Sequence, residues 1–196
     1  AYSSNIGMIM MSREMPKERM HQYLSDFGLG RPTGIELPGE AAGSLPPADM
    51  EDYTRDQIAF GQGVSVTALQ QTAAIAGILN DGVYNQPTIL RSATDANGQD
   101  VPIKRAEPRR VVSEESSEMV ASMMESVVGP GGFATNVAME DYRTGGKTGT
   151  AEKYDPETGG YNGYTASFVG MAPAEDPQYV TYVAIDNPRN GHTGPE

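Results

Sequence analysis

The sequence predicts an α+β fold, an antiparallel sheet packed with helices, and three observations carry that prediction. Segments with helical apolar spacing come first along the chain. Three extended segments separated by turn-forming residues come later, with no strand–helix–strand alternation between them. With 196 residues, the chain fits one globular unit with a real hydrophobic core, or a piece of one.

Asn5 to Met11 is apolar enough for a buried helical segment. Pro16 suits the first position of a second helix, where its missing N–H has no cost, and Gly28 suits the position just past its end. Within it, Met20, Tyr23, Leu24 and Phe27 fall at helical spacing and predict a core-facing stripe. Residues Gly28 to Asp49 are rich in Gly and Pro and predict an ordered loop with a short extended piece at Gly34 to Leu37. Loops this long in compact domains tend to be functional or disordered. A third helix is predicted over Val66 to Asn80, capped by Ser65 or Thr67 and followed by Gly82.

From Ser92 to Arg110 the chain is polar and turn-rich, and Asn97-Gly98 can close a hairpin. Ser113 then caps a fourth helix with Glu114 and Glu115 in its first turn, where negative charge suits the helix dipole. Its predicted apolar face is Met119, Val120, Met123, Met124 and Val127, and Gly129-Pro130 stops it. The three extended segments, Gly145 to Tyr154, Tyr164 to Ala172 and Gln178 to Asp186, read as consecutive antiparallel strands.

Composition excludes several classes of function. A net charge of -12, with no cluster among the four lysines and ten arginines, repels a phosphate backbone, so no nucleic-acid partner is expected. The absence of cysteine removes disulfides, thiol nucleophiles and Cys-ligated metals. His21 and His192 lack a second ligand at zinc spacing, so His21 reads as a helix-surface residue, His192 as a loop residue, and no metal or cofactor is expected. No apolar run approaches the roughly twenty residues of a membrane span. An anchor or export signal is expected upstream of Ala1.

The sharpest motif is Lys147-Thr148-Gly149-Thr150, on the first of the three strands. A given tetrapeptide occurs by chance in roughly a few per thousand chains of this length, so the match carries weight. The lysine supplies positive charge, the two threonine hydroxyls can grip a carboxylate, and the glycine leaves room for a substrate lying along the strand. The N–H of Thr150 can then face a developing oxyanion. The alternative is a twisted strand with a glycine where another backbone approaches. Ser3-Ser4-Asn5 contains Ser-x-Asn, a pattern with about an even chance of arising in such a chain, and its alternative role is a helix N-cap.

Ser-x-Asn well before Lys-Thr-Gly is the order found in penicillin-binding proteins and serine β-lactamases, and the chain resembles that superfamily. Other segments resemble the class B penicillin-binding proteins of the division type: Thr33 to Glu40, Gly61 to Gln70, Gly145 to Ala151, Ser167 to Pro173 and Ile185 to Pro188. The likeness runs from Ser3 to about Pro188 and is thin only over 41–58 and 92–110. It implies the partial fold of a penicillin-binding, serine β-lactamase-like transpeptidase domain, covering residues 1–196, and a peptidoglycan D,D-transpeptidase acting through a serine acyl-enzyme. The implied partners are the peptidoglycan stem peptide, β-lactam antibiotics and membrane-bound cell-wall synthesis or division proteins. The implied location is the extracytoplasmic face of the bacterial cell membrane.

The resemblance also assigns roles. Ser3 relays a proton toward the leaving amine, and Asn5 holds the substrate amide and helps place the catalytic lysine. Lys147 keeps the site electropositive, while Thr148 and Thr150, with Gly149 between them, bind the donor's carboxylate. The Thr150 N–H forms one half of the oxyanion hole. The family's Ser-x-x-Lys nucleophile is absent, because none of Lys17, Lys104, Lys147 and Lys153 has serine three residues before it. Thr144-x-x-Lys147 and Thr150-x-x-Lys153 read as coincidences on a strand. The chain is therefore expected to be the C-terminal part of such a domain, beginning after the nucleophile and inactive alone. A non-catalytic scaffold domain and a serine β-lactamase are the alternatives, the latter lacking an evident carboxylate base for deacylating water.

Overall fold

The computed structural model describes residues 3–155 and 157–189. His192 lies outside them. Among the described residues, five α-helices and a three-stranded sheet organise the fold: α1 (Asn5–Ser12), α2 (Lys17–Asp26), α3 (Asp52–Ala59), α4 (Ala68–Leu79), α5 (Glu114–Val128), then β3 (Gly145–Asp155), β4 (Gly160–Ala172) and β5 (Tyr179–Asp186). Two short strands, β1 (Val83–Tyr84) and β2 (Arg109–Arg110), pair between α4 and α5. The α+β class and the three late antiparallel strands agree with the sequence prediction, in the order β3-β4-β5.

Helices α4 and α5 cover one face of this sheet. Cross-strand partners share a face, and the set Gly145, Met171, Val180 and the set Lys147, Val169, Tyr182 lie on the covered side. Leu79 of α4 and Met124 of α5 meet Val169 and Met171 there to form the buried cluster, with Ile75, Ala121, Val180 and Tyr182 around it. Ser117 of α5 donates its hydroxyl to the Ile78 carbonyl of α4, tying the two helices together. Gly145 permits the close approach of α5, since a Cβ there would lie 2.9 Å from the Glu125 nitrogen and 3.0 Å from the Met124 carbonyl carbon.

Local signals set the helix ends. Thr67 caps α4 in a capping box, accepting the Gln70 N–H while Gln70 returns its side-chain oxygen to the Thr67 N–H at 2.8 Å. Ser113 caps α5. Gly28, at φ 88°, follows α2 in the left-handed conformation. Pro16 is the residue before α2 and not its first turn.

The segment from Gly28 to Asp49 is an ordered loop held by hydrogen bonds to several of its backbone groups, although the buried Thr33 hydroxyl has no hydrogen-bond partner among the described residues. The buried Gln70 amide donates to the carbonyls of Arg31 and Ala42 at 2.7 and 2.8 Å, and the Glu40 carboxylate accepts the N–H groups of Thr33 and Gly34 at 2.7 and 2.9 Å. The expected extended piece at 34–37 does not form: Glu36 has φ 61°, and its carboxylate turns to bind Thr88 and the Ile89 N–H. Asn97-Gly98 does sit in a tight turn, closed by the Thr94–Asp100 bridge. His21 is half-buried, its Nδ1 2.9 Å from the Pro46 carbonyl oxygen, so it is more tied down than a surface histidine.

Several helix expectations fail: α1, expected to be buried, has only Ser12 buried, and no residue of α2 is fully buried, so its predicted stripe is only half-covered. Helix α3 lies within a stretch where no helix was predicted. On α5 the buried apolar residues are Met124, Val127 and Val128, with Met124 against the sheet, whereas Met119 and Met123 are 54% and 57% exposed and Val120 is also exposed. The opposite face of the sheet likewise carries exposed Tyr179, Val183 and Ile185.

Candidate active site

The motif Lys147-Thr148-Gly149-Thr150 lies in β3, one of the two edge strands of the sheet among the described residues. An edge strand presents backbone donors and acceptors on its outer side, which can accept an extended peptide. Beside it opens a cleft of about 660 Å³, walled by β3 and β4, by α4, and by Leu24, Phe27 and Ile58 of α2 and α3. Lys147, Thr148, Gly149 and Thr150 all line it.

Lys147 is brought to Ser3 across 144 residues of sequence. Its Nζ donates to Ser3 Oγ at 3.0 Å and to its neighbour's carbonyl, Thr148 O, at 2.7 Å. The residue keeps an exposed surface, but partial desolvation of the ammonium pushes its pKa below the ordinary lysine value. A charge so placed acts on a developing anion more strongly than one in bulk water.

Ser3 precedes α1, and the helix is capped by its neighbour. Ser4 Oγ accepts the Gly7 N–H at 3.1 Å, so the N-cap role belongs to Ser4 and leaves the Ser3 hydroxyl for Lys147. Asn5 is the first residue of α1 and is exposed. Thr148 is buried, while Thr150 is exposed two residues along the strand.

Gly149 has a second reason to be glycine. A Cβ there would lie 2.5 Å from Ser167 Oγ on β4, its cross-strand partner. Ser167 also lines the cleft, a contribution that sequence reasoning missed although its Ser-Phe-Val-Gly segment had been singled out. Among the described residues no cluster of His, Asp and Glu could hold a metal ion.

Lys147 and Ser3 thus meet at an edge of an antiparallel sheet flanked by helices, beside a cleft that Thr148 and Thr150 also line. The chain belongs to the family described as the penicillin binding protein transpeptidase domain, which matches residues 1–195. It is 40% identical over 191 residues to stage V sporulation protein D of Bacillus subtilis, covering 95% of this chain and 29% of that protein. It is 35% identical over 190 residues to the peptidoglycan D,D-transpeptidase FtsI of Escherichia coli K12, covering 96% of this chain and 31% of the relative. Among solved structures, penicillin binding protein 3 from Mycobacterium tuberculosis complexed with aztreonam superposes with a TM-score of 0.92 at 35% identity, covering 98% of this chain and 47% of that one. The chain therefore spans under a third of the length of these two relatives.

Proposed function

We propose that this chain is the C-terminal part of a peptidoglycan D,D-transpeptidase domain, and that it supplies all of the donor-binding apparatus except the nucleophile. The observation that carries the reading is the 3.0 Å contact between Lys147 Nζ and Ser3 Oγ at the edge of β3. The parent's nucleophilic serine, upstream of Ser3, gives its proton to the lysine of its own Ser-x-x-Lys motif as it attacks the donor peptide's carbonyl, and the oxyanion is held by the N–H of Thr150 and the nucleophile's own N–H. As the amide C–N bond breaks, Ser3 relays a proton to the leaving amine, with Lys147 lowering the energy of the anionic relay. Thr148 and Thr150 grip the terminal carboxylate, and Asn5 holds the substrate amide. The acyl group then passes to the amine of a second stem peptide, forming the cross-link.

The likeness to a peptidoglycan D,D-transpeptidase and to penicillin-binding protein structures complexed with aztreonam and ampicillin supports the substrate and β-lactam parts of this reading. The protein works on the extracytoplasmic face of the bacterial membrane, beside membrane-bound cell-wall synthesis or division proteins. The exposed apolar residues of α1, α5 and the outer sheet face are where the remainder of the domain packs.

The test is Lys147→Ala in the full-length protein, with the acylation rate by penicillin and the melting temperature measured together. The rate falls by about 30- to 1000-fold, the loss for one oxyanion-site donor, while the melting temperature holds. An unchanged rate removes Lys147 from the chemistry.

A further inference from the structure

Arg13 closes α1 as its C-cap residue, and its guanidinium is bound by the Asp56 carboxylate of α3. Nη2 donates to Asp56 Oδ2 at 2.5 Å, and Nε lies 3.2 Å from Oδ2 and 3.3 Å from Oδ1. Arg55 donates to Oδ1 from the other side, through Nε at 3.3 Å and Nη2 at 3.2 Å. The side chains of Asp56 and Arg55 are only 16% and 13% exposed, so one largely desolvated carboxylate joins two guanidinium groups. Asp52 completes the cluster, 3.3 Å from Lys17 Nζ and 3.7 Å from Arg55 Nη1. An isolated surface ion pair contributes little, but a shared, mostly buried carboxylate with forked donors is geometrically specific.

This cluster matters because, among the described residues, it is what ties the C-terminal end of α1 to α3. Its residues Ile6, Met8, Met10 and Met11 are exposed, Ser12 is its one buried residue, and among the described elements α3 is its principal packing neighbour. A helix of eight residues is a stiff rod of about 12 Å, so a displacement at Arg13 is carried to the other end. That end is Ser3, the cap Ser4 and Asn5.

We propose that Asp56 is a positioning residue for the Ser3-x-Asn5 element, acting through Arg13 to set the lie of α1 and so keep the Ser3 hydroxyl within reach of Lys147. The inference rests on the role given to Ser3 above. It assigns no contact between Asp56 and substrate.

The experiment is a mutant cycle in the full-length protein, reading the acylation rate by a fluorescent penicillin alongside the melting temperature. Asp56→Asn and Arg13→Gln, the latter at a side chain 59% exposed, each lower the rate by about 10- to 100-fold, the range for misplacing a catalytic group by an ångström. Asp56→Glu, which keeps the carboxylate, restores most of the rate. In a Ser3→Ala background, Asp56→Asn and Arg13→Gln lower the rate no further, because the group they position is gone. A loss of melting temperature with the rate intact, or the same further loss in the Ser3→Ala background, overturns the proposal. If Ser3→Ala alone leaves the rate unchanged, the role of Ser3 fails and the positioning inference falls with it; if only Ser3→Ala slows acylation, the inference alone fails.

Discussion

Ser4 Oγ accepts the N–H of Gly7 at 3.1 Å, which places the cap of α1 one residue beyond the serine that meets Lys147. Two adjacent serines thus have separable tasks. Ser4→Ala in the full-length protein should lose about 1 kcal/mol of stability, as an N-cap does. Ser3→Ala should instead slow penicillin acylation and transfer while leaving stability within about 0.5 kcal/mol, since no cap is removed. Paired denaturation and acylation measurements on both variants decide it, and a stability loss confined to Ser3→Ala would reverse the assignment.

Gly145→Ala should destabilise the domain by about 1 to 3 kcal/mol, the range for overpacking a close contact. Its Cβ would meet the backbone of α5 at Glu125 and Met124, which can yield only by moving the helix off the sheet. Gly149→Ala meets only the movable Ser167 hydroxyl, so its effect on stability should be smaller and should be relieved by Ser167→Gly. Urea unfolding of the three variants checks the order.

How much of this was legible in the sequence depended on how local each cause was. The cap at Ser113 and the three strands around Lys147-Thr148-Gly149-Thr150 follow from neighbours in the chain and were readable, and the cap of α4 was narrowed to Ser65 or Thr67, of which the structure uses Thr67. Helix α3 was not. It has eight residues, no side-chain cap and only Ile58 buried, and its Asp56 is held by Arg13, 43 residues away. The face of α5 was half readable, because Met119, Val120, Met123 and Met124 are all apolar and only the sheet decides that Met124 turns inward. Ser-x-Asn was visible as a string and drew its expected role from the family resemblance, whereas the contact of Ser3 with Lys147 appears only in the fold.

The depressed pKa of Lys147 has a kinetic consequence. Desolvation disfavours its charged form, so the ammonium deprotonates at lower pH than an ordinary lysine. The alkaline limb of acylation should therefore decline as pH rises through that lowered pKa, before the usual lysine range near 10.4 is reached. A pH–rate profile for penicillin acylation tests this, and a rate flat up to the ordinary lysine range would contradict it.

Arg143 binds Glu125 of α5 in a forked pair at 2.7 and 2.8 Å, and this hydrogen bonding holds the Glu125 pKa below its ordinary value. A depressed carboxylate pKa contributes stability above the unfolded value, about 4.3, and that contribution is lost as pH falls through the lowered folded value. Arg143→Ala should remove this part of the acid dependence, so the stabilities of variant and native protein should converge as pH falls. Thermal melts across the acid range measure it, and a constant gap would contradict it.

The central claim is that this chain supplies the carboxylate grip, the relay serine and half of the oxyanion hole to a nucleophile that lies outside it. Incubation with a fluorescent penicillin, followed by gel fluorescence and intact mass, tests that claim most directly on two proteins: the 196-residue chain and a version extended upstream through a Ser-x-x-Lys motif. Acylation needs a hydroxyl with a base in hydrogen-bond reach, and no Ser-x-x-Lys string occurs in the 196 residues. The extended protein should be labelled stoichiometrically and the 196-residue chain should not. A stoichiometric adduct on the 196-residue chain would contradict the account and point to Ser3, Thr144 or Thr150 as the nucleophile.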